Sequence, residues 1–478
     1  MAATAVLSPG SQVTLAMTLH APPPVHSALD LIGNTPLVEL TRLDAGPCRL
    51  FAKLESQNPG GSIKDRIGLS MIEAAEKSGK LRPGGTIVEA TAGNTGLGLA
   101  QVATLKGYKL ILVVPDKMAR EKIQHLRALG ADVRLTRSDV GKGHPDYYQD
   151  MAERLATENQ GHYINQFSNP ANPLAHETTT GPEIWEQMDR DVDAVVCGVG
   201  SGGTLTGLGR FFAKVSPKTQ IVLADPVGSI LAPLINTGEM TKPGSWIVEG
   251  IGEDFVPDNA DLKLVTRAYS ISDKESIDAA RALLAREGIL AGSSSGTLLA
   301  AALKYCREQT QPKRVVTLVC DSGNKYLSKG FNDHWVAEQG LGHSKLKGNL
   351  ADLISRRFDT GATVTVGPED TLLTAYHRMR AADVSQLPVL VERRLVGIVD
   401  ESDILNVIDR GGGSRAGQFA TLVKDAMTAE PHTLPLNAPL KALLPIFENN
   451  EVVLVCDGDT FIGLITRIDL INYIRLHP

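Results

Sequence analysis

The chain predicts an α/β protein: a large leading part built on parallel sheets, followed by a smaller α/β module. Three observations carry this. Short apolar runs alternate with helix-length segments between about residues 30 and 340, glycine-rich turns stand where several of those runs pass into a helix, and a strand-and-helix unit recurs after about residue 350. At 478 residues the chain is too long for one ordinary core, so two or three domains are expected.

Bulk properties exclude several classes. A net charge of −6 leaves no basic footprint for nucleic acid, and no apolar run is long enough to span a membrane. The five cysteines, Cys48, Cys197, Cys306, Cys320 and Cys456, are scattered and form no Cys-x-x-Cys pair. That argues against a disulfide framework or a bound metal and fits a reducing, cytoplasmic setting. Residues 1–29 contain no Lys, Arg, Asp or Glu and include Pro22-Pro23-Pro24; without the basic start of a signal peptide, they read as a flexible tail.

Order is expected to begin near Asp30, at the Gly33-Asn34-Thr35-Pro36 turn. The alternating segment Arg49 to Glu55 reads as a strand, and Ile67 to Ala75 as a helix. Between them lies Asn58-Pro59-Gly60-Gly61-Ser62-Ile63-Lys64-Asp65-Arg66, a strand-to-helix turn. A lysine there meets the positive end of a helix dipole and partial desolvation, both of which favour the neutral, nucleophilic amine. The plain alternative is a pair of solvated charges, Lys64 and Arg66, on a surface helix.

Strand Gly84 to Ala90 runs into Thr91-Ala92-Gly93-Asn94-Thr95-Gly96 and a helix from Leu97 to Lys106. Strand Lys109 to Val114, helix Arg120 to Leu129 and strand Ala131 to Leu135 follow. This is βαβ patterning, in which ligands bind at the carboxyl ends of the strands. A second series opens with the apolar strand Asp193 to Val199, which leads into Gly200-Ser201-Gly202-Gly203-Thr204 and helix Leu205 to Phe212. Glycines there let a phosphate approach the backbone and the helix N-terminus. The loop lacks the Gly-Lys-Ser/Thr of a Walker motif and the acidic partner of a dinucleotide fold. Further on, Gly292-Ser293-Ser294-Ser295-Gly296 precedes a helix from Thr297 to Glu308, so N-capping would account for one hydroxyl of three. Strand Arg314 to Cys320 ends in Asp321-Ser322-Gly323.

Lys64 in its turn, Thr91 to Gly96, Gly200 to Thr204 and Ser293 to Gly296, in that order, resemble the fold type II pyridoxal-phosphate enzymes, the group of tryptophan synthase β, cysteine synthase and cystathionine β-synthase. The resemblance covers about residues 30–340 and implies a core of two parallel-sheet subdomains around pyridoxal 5'-phosphate. By that likeness Lys64 binds the cofactor covalently and acts as the catalytic base, Asn94 meets its ring hydroxyl, and Ser294 its pyridine nitrogen. Gly200, Ser201, Gly202, Gly203 and Thr204 would hold its phosphate. Thr91, Ala92, Gly93 and Thr95, with Gln166, Glu249 and Gly250, would bind substrate. A hydroxyl at the pyridine nitrogen does not force its protonation, which favours expelling a β-substituent. The implied reaction is β-replacement by a thiol.

Two features favour the cystathionine-forming branch, with serine and homocysteine as substrates, over the cysteine-forming branch, which uses O-acetylserine or serine with sulfide. Val248-Glu249-Gly250-Ile251-Gly252 resembles the former; the alternative for Glu249 is a solvent-facing loop acid. The second feature is the repeat: Leu395 to Leu405 aligns with Phe461 to Ile471, and Gly411-Gly412-Gly413-Ser414 falls between the copies. This resembles a tandem CBS-domain (Bateman) module, a family that commonly binds adenosyl ligands. Thr466 and Asp469 match its ribose-gripping pair, and Asp400 departs from it in the first copy, which favours S-adenosylmethionine over a polyphosphate. A ligand-free dimerisation block is the alternative.

The expected organisation is a tail at 1–29, a catalytic core at 30–340, a linker at 341–352, CBS motifs at 353–409 and 420–478, and a linker at 410–419. No haem is expected, because no cysteine precedes Cys48. A homodimer or higher homo-oligomer through core and module is implied, as are sulfide-releasing side reactions. The alternative of another class is a catalytically silent adenosyl sensor.

Overall fold

A computed structural model describes residues 23–476 other than 92, 117, 119, 142, 342–348, 355 and 411–413. The expectations for Ala92, for most of the leading tail and for part of each linker therefore lie outside the described residues. The core holds two sheets. In the first, the strands run in the order Leu37–Glu39, Arg49–Lys53, Arg314–Leu318, Ala194–Cys197, Gln220–Pro226, Arg267–Ile271. All neighbours are parallel except the edge pair Leu37–Glu39 with Arg49–Lys53. The second sheet, Asp132–Thr136, Lys109–Pro115, Thr86–Ala90, His162–Tyr163, is parallel throughout. Leu50, Phe51 and Ala52 are buried in succession rather than alternately, because helices cover both faces of a parallel sheet.

Glycines set how closely the helices that carry the site approach one another. Helix Lys64–Lys77 packs on helix Asn94–Lys106 at Gly68 and Gly98: a Cβ on Gly98 would stand 2.6 Å from the Lys64 carbonyl oxygen, and one on Gly68 would stand 2.7 Å from Gly98 C. Any larger residue would pry Lys64 from the Asn94 turn.

Arg66 is no surface charge. Its guanidinium is buried and donates to Glu55 at 2.7 Å and to Glu183 at 2.7 Å, and Glu183 also accepts from Lys53 at 2.7 Å. Burial alone would raise the Glu183 carboxyl, but Arg66 and Lys53 outweigh it and hold Glu183 at about 2. Removing one partner from such a cluster costs about 3–5 kcal/mol, so these contacts tie helix Lys64–Lys77 to the strand and helix on either side.

The C-terminal module is one mixed sheet. Its strands run Gln386–Val391, Arg394–Asp400, Thr460–Ile465, Val453–Asp457, Thr433–Pro435, with Arg356–Arg357 and Thr428–Ala429 at its sides. The repeat is visible in it: strand Arg394–Asp400 leads to helix Glu401–Arg410, and strand Thr460–Ile465 leads to helix Arg467–Leu476. Each copy has its own apolar core, one around Leu387, Val389 and Val399, the other around Val453, Val455 and Ile465.

Candidate active site

Between the two core sheets lies a cavity of about 930 Å³, large enough for a cofactor and an amino acid together. Lys64, Thr91, Gly93, Asn94, Thr95, Gln166, Gly200, Ser201, Gly202, Gly203, Thr204, Glu249, Gly250 and Ser294 all line it, so stretches 230 residues apart in sequence converge on one space.

Lys64 is the first residue of its helix. Burial pushes its amine below the ordinary lysine value, and the facing Cys320 and Glu253 only partly oppose this. Asn94 opens its own helix after Gly93, which sits at φ 140, a conformation that favours glycine. The Asn94 side chain is held on both sides: its amide donates to Asp321 at 2.7 Å, and its carbonyl accepts from Lys325 at 2.9 Å. Tyr326 donates to the same Asp321 oxygen at 2.6 Å.

The loop 200–204 is a cradle that side chains would fill. A Cβ on Gly200 would lie 2.6 Å from the Gly250 carbonyl, one on Gly202 2.6 Å from Ala260 N, and one on Gly203 1.8 Å from Asn172 Oδ1. Asn172, fully buried, donates to Ser201 Oγ at 2.9 Å and to the Gln166 carbonyl at 2.8 Å. The Thr204 hydroxyl lies 3.2 Å from His176 Nε2, and His176 Nδ1 lies 2.9 Å from the Thr180 hydroxyl. Burial first, then the charges of Arg66 and Lys64, drive His176 well below its ordinary value, so the ring is neutral. His176 begins a π-turn, His176–Thr180, a geometry frequent at functional sites.

In the candidate carboxylate loop, the Thr91 hydroxyl accepts the Gly93 N–H at 3.2 Å, and the Thr95 hydroxyl donates to Gln166 at 2.7 Å. Gln166 in turn lies against Glu89, fully buried, whose carboxyl burial raises to about 8. Glu249 is not a solvent-facing acid. It accepts from Lys122 at 2.6 Å and from Lys329 at 2.6 Å. Burial would raise its carboxyl, but the two lysines outweigh that and hold it below the ordinary carboxylate range.

The serines do not cap their helix. That helix runs Ser293–Arg307, one turn earlier than expected, with Gly292 before it and no side-chain cap. Each hydroxyl is engaged elsewhere: Ser293 Oγ accepts from Glu249 N at 3.2 Å, Ser295 Oγ accepts from Cys320 N at 2.9 Å, and Ser294 meets the Cys320 thiol at the cavity wall. In the module, the Thr466 hydroxyl and backbone N–H both donate to Asp469, at 2.6 and 2.7 Å. Among the described residues no group of three His, Cys, Asp or Glu is placed to hold a metal, and no helix is long and apolar enough to cross a membrane.

Sequence reasoning missed Asn172, His176, Lys122, Lys329, Tyr326 and Glu253. Residues 172–176 follow a loop with no glycine signal. Lys122 meets a partner 127 positions away.

Comparison with known proteins places this cavity in context. The family described as pyridoxal-phosphate dependent enzyme matches residues 28–321, and the CBS domain matches residues 351–410 and 423–476. The chain is 36% identical to the cystathionine beta-synthase of Dictyostelium discoideum over 463 residues, 93% of this chain and 91% of that one. It is 47% identical to cysteine synthase A of Escherichia coli over 315 residues, 65% of this chain and 96% of that one. A solved hydrogen sulfide-producing enzyme from Fusobacterium nucleatum is 37% identical with a TM-score of 0.60, covering 64% of this chain and 100% of that one.

Proposed function

The chain belongs to the cystathionine β-synthase and cysteine synthase family of pyridoxal-phosphate dependent enzymes, with two CBS domains behind its core, and from that premise we propose that it replaces the hydroxyl of serine by the thiol of homocysteine, giving cystathionine and water. The observation that carries this choice is the likeness to a cystathionine beta-synthase that runs through the core and both CBS domains, 93% of the chain. The class would be a carbon–oxygen lyase.

Bound in the cleft, pyridoxal phosphate supplies the electron sink that lets a proton leave the α-carbon of an amino acid. The residues fit it: Lys64 would carry it, the glycine cradle with Thr204 would hold its phosphate, and Asn94 and Ser294 would meet its ring. Lys64 Nζ, pushed toward the neutral amine, takes the α-proton and later returns it. The uncapped N–H groups of helix Asn94–Lys106, with Thr91, Thr95 and Gln166, orient the substrate carboxylate. Glu249, fixed by two lysines, lines the cavity, where it would meet substrate.

A cysteine-forming reading is favoured by the 47% identity of the core to cysteine synthase A, and sulfide release as a side reaction by the likeness to the Fusobacterium enzyme. Turnover of serine with homocysteine against O-acetylserine with sulfide decides between them; preference for the second pair overturns the proposal. A silent sensor role is disfavoured by the convergence of Lys64, Asn94 and Ser294 on one cavity.

For the module we propose S-adenosylmethionine at Thr466 and Asp469, and self-association through exposed Ile468, Ile471 and Ile474. Arg475 of the same helix reaches the rim of the catalytic cavity, so a change in the module has a short path to the cleft. Repeating the serine and homocysteine assay with and without S-adenosylmethionine tests that link. The domain limits given above, a cytoplasmic setting and the absence of haem belong to the same reading.

A further inference from the structure

One ionisable group in the cavity takes no part in the scheme above. Glu253 follows the turn Val248 to Gly252, and its backbone is pinned at both ends: its N–H donates to Ser229 Oγ at 3.1 Å, and its carbonyl accepts from Ile230 N at 3.1 Å and from the Ser229 hydroxyl at 3.2 Å. Gly252 N donates to the Val199 carbonyl at 2.8 Å, which brings the turn against the 200–204 loop. A Cβ on Gly200 would stand 4.0 Å from Glu253 Oε1. Glu253 and Lys64 line the same cavity and sense each other's charge, with Tyr147 and Tyr148 on the same lining. Glu249 is bound by two lysines, whereas the Glu253 carboxyl has no hydrogen-bond or ion-pair partner among the described residues.

Resting on the serine reading given above, we propose that Glu253 is a catalytic acid and base for the β-position, giving a proton to the departing hydroxyl and then taking one from the incoming thiol. Lys64 must keep the α-proton if it is to return it, so the leaving oxygen needs a second donor. In the first half, Lys64 Nζ takes the α-proton, the Cβ–O bond breaks with its electron pair going to oxygen, and the Glu253 proton completes water. In the second half, the S–H proton passes to the Glu253 carboxylate as the sulfur pair forms the Cβ–S bond, and Lys64 returns its proton to Cα. Glu253 begins and ends protonated, so serine and thiol give thioether and water without another reactant. The surroundings suit this cycle: burial first, then Asp254 and Asp225, raise its carboxyl well above the ordinary range, with Lys64 opposing.

The test is the first half-reaction of the full-length holoenzyme, followed by its visible absorbance on mixing with amino acid and no thiol. In Glu253→Gln the rate with serine is expected to fall about 100-fold, while the rate with β-chloroalanine, whose chloride needs no proton, stays within about threefold. In the wild type, the ratio of the serine rate to the β-chloroalanine rate should fall as pH rises, because Glu253 must hold its proton; in the variant it should be flat. Retained β-chloroalanine reaction certifies that the variant is folded. An equal loss on both amino acids, or no loss on serine, overturns the assignment. Should the wild type react with O-acetylserine but not with serine, the serine reading itself falls, and this role falls with it.

Discussion

The strand-to-helix turns that line the core's cavity and those of the C-terminal module share a topology and differ at the first turn of the helix. The helices Asn94–Lys106, Gly203–Val215 and Ser293–Arg307 each follow a glycine and carry no side-chain cap. In the module, Asp403 and Asp400 cap one another's N–H groups at 2.9 and 3.0 Å, and Asp469 accepts twice from Thr466. An uncapped end keeps N–H groups unsatisfied and a positive dipole exposed, a cost that an anionic ligand offsets. A carboxylate at the turn supplies an acceptor from the chain itself. The core leaves open the helix ends that line the cavity, while capping others such as Asp273–Glu287 with Ser272; the module uses carboxylates at its turns to hold itself together.

The contrast can be broken at its strongest point. Lys64→Ala should remove the cofactor's visible absorbance from the dialysed protein and lower turnover by about 1,000-fold or more; a coloured, active variant would mean the open ends serve something else. Next in size, Gly203→Ala places a Cβ 1.8 Å from Asn172 Oδ1, so the cradle must distort. Its dissociation constant for pyridoxal phosphate, read by equilibrium dialysis, should rise about tenfold or more.

Beneath the Asn94 helix end, Glu89 offers a pH readout. Burial holds it at about 8 against an ordinary 4.5, so the folded protein keeps a proton that the unfolded chain sheds. Its stabilising contribution is complete below 4.5 and is lost as pH rises toward about 8. Thermal midpoints of Glu89→Gln should therefore vary less between these limits than those of the native chain; parallel curves would remove Glu89 from the account. The smallest effect tests the closed ends: Asp469→Ala should cost the module about 1 kcal/mol in denaturant unfolding, as loss of a cap does, without moving the cofactor absorbance.

Much of the site was legible because a backbone that must approach a ligand writes glycine into a contiguous stretch. Lys64 after Gly60 and Gly61, Asn94 after Gly93, and the 200–204 loop are readable for that reason. The three serines misled in part: hydroxyls before a helix ordinarily cap it, yet the Glu249 and Cys320 backbones claim two of them from other segments. For Arg66 and Glu249 the sequence left a solvated charge open as the alternative, because their partners, Glu183 for one and Lys122 and Lys329 for the other, come from distant helices and loops.

By itself the sequence determined the alternation of strands and helices, the repeat in the module, and which turns lie open to an anion, since each is set by neighbours within a few residues. Only the tertiary structure decided which charges are paired, that the Glu253 carboxyl has no partner among the described residues, and that burial drives His176 well below its ordinary value. Desolvation and long-range contacts fix the protonation of a side chain, and both depend on what the rest of the chain packs around it.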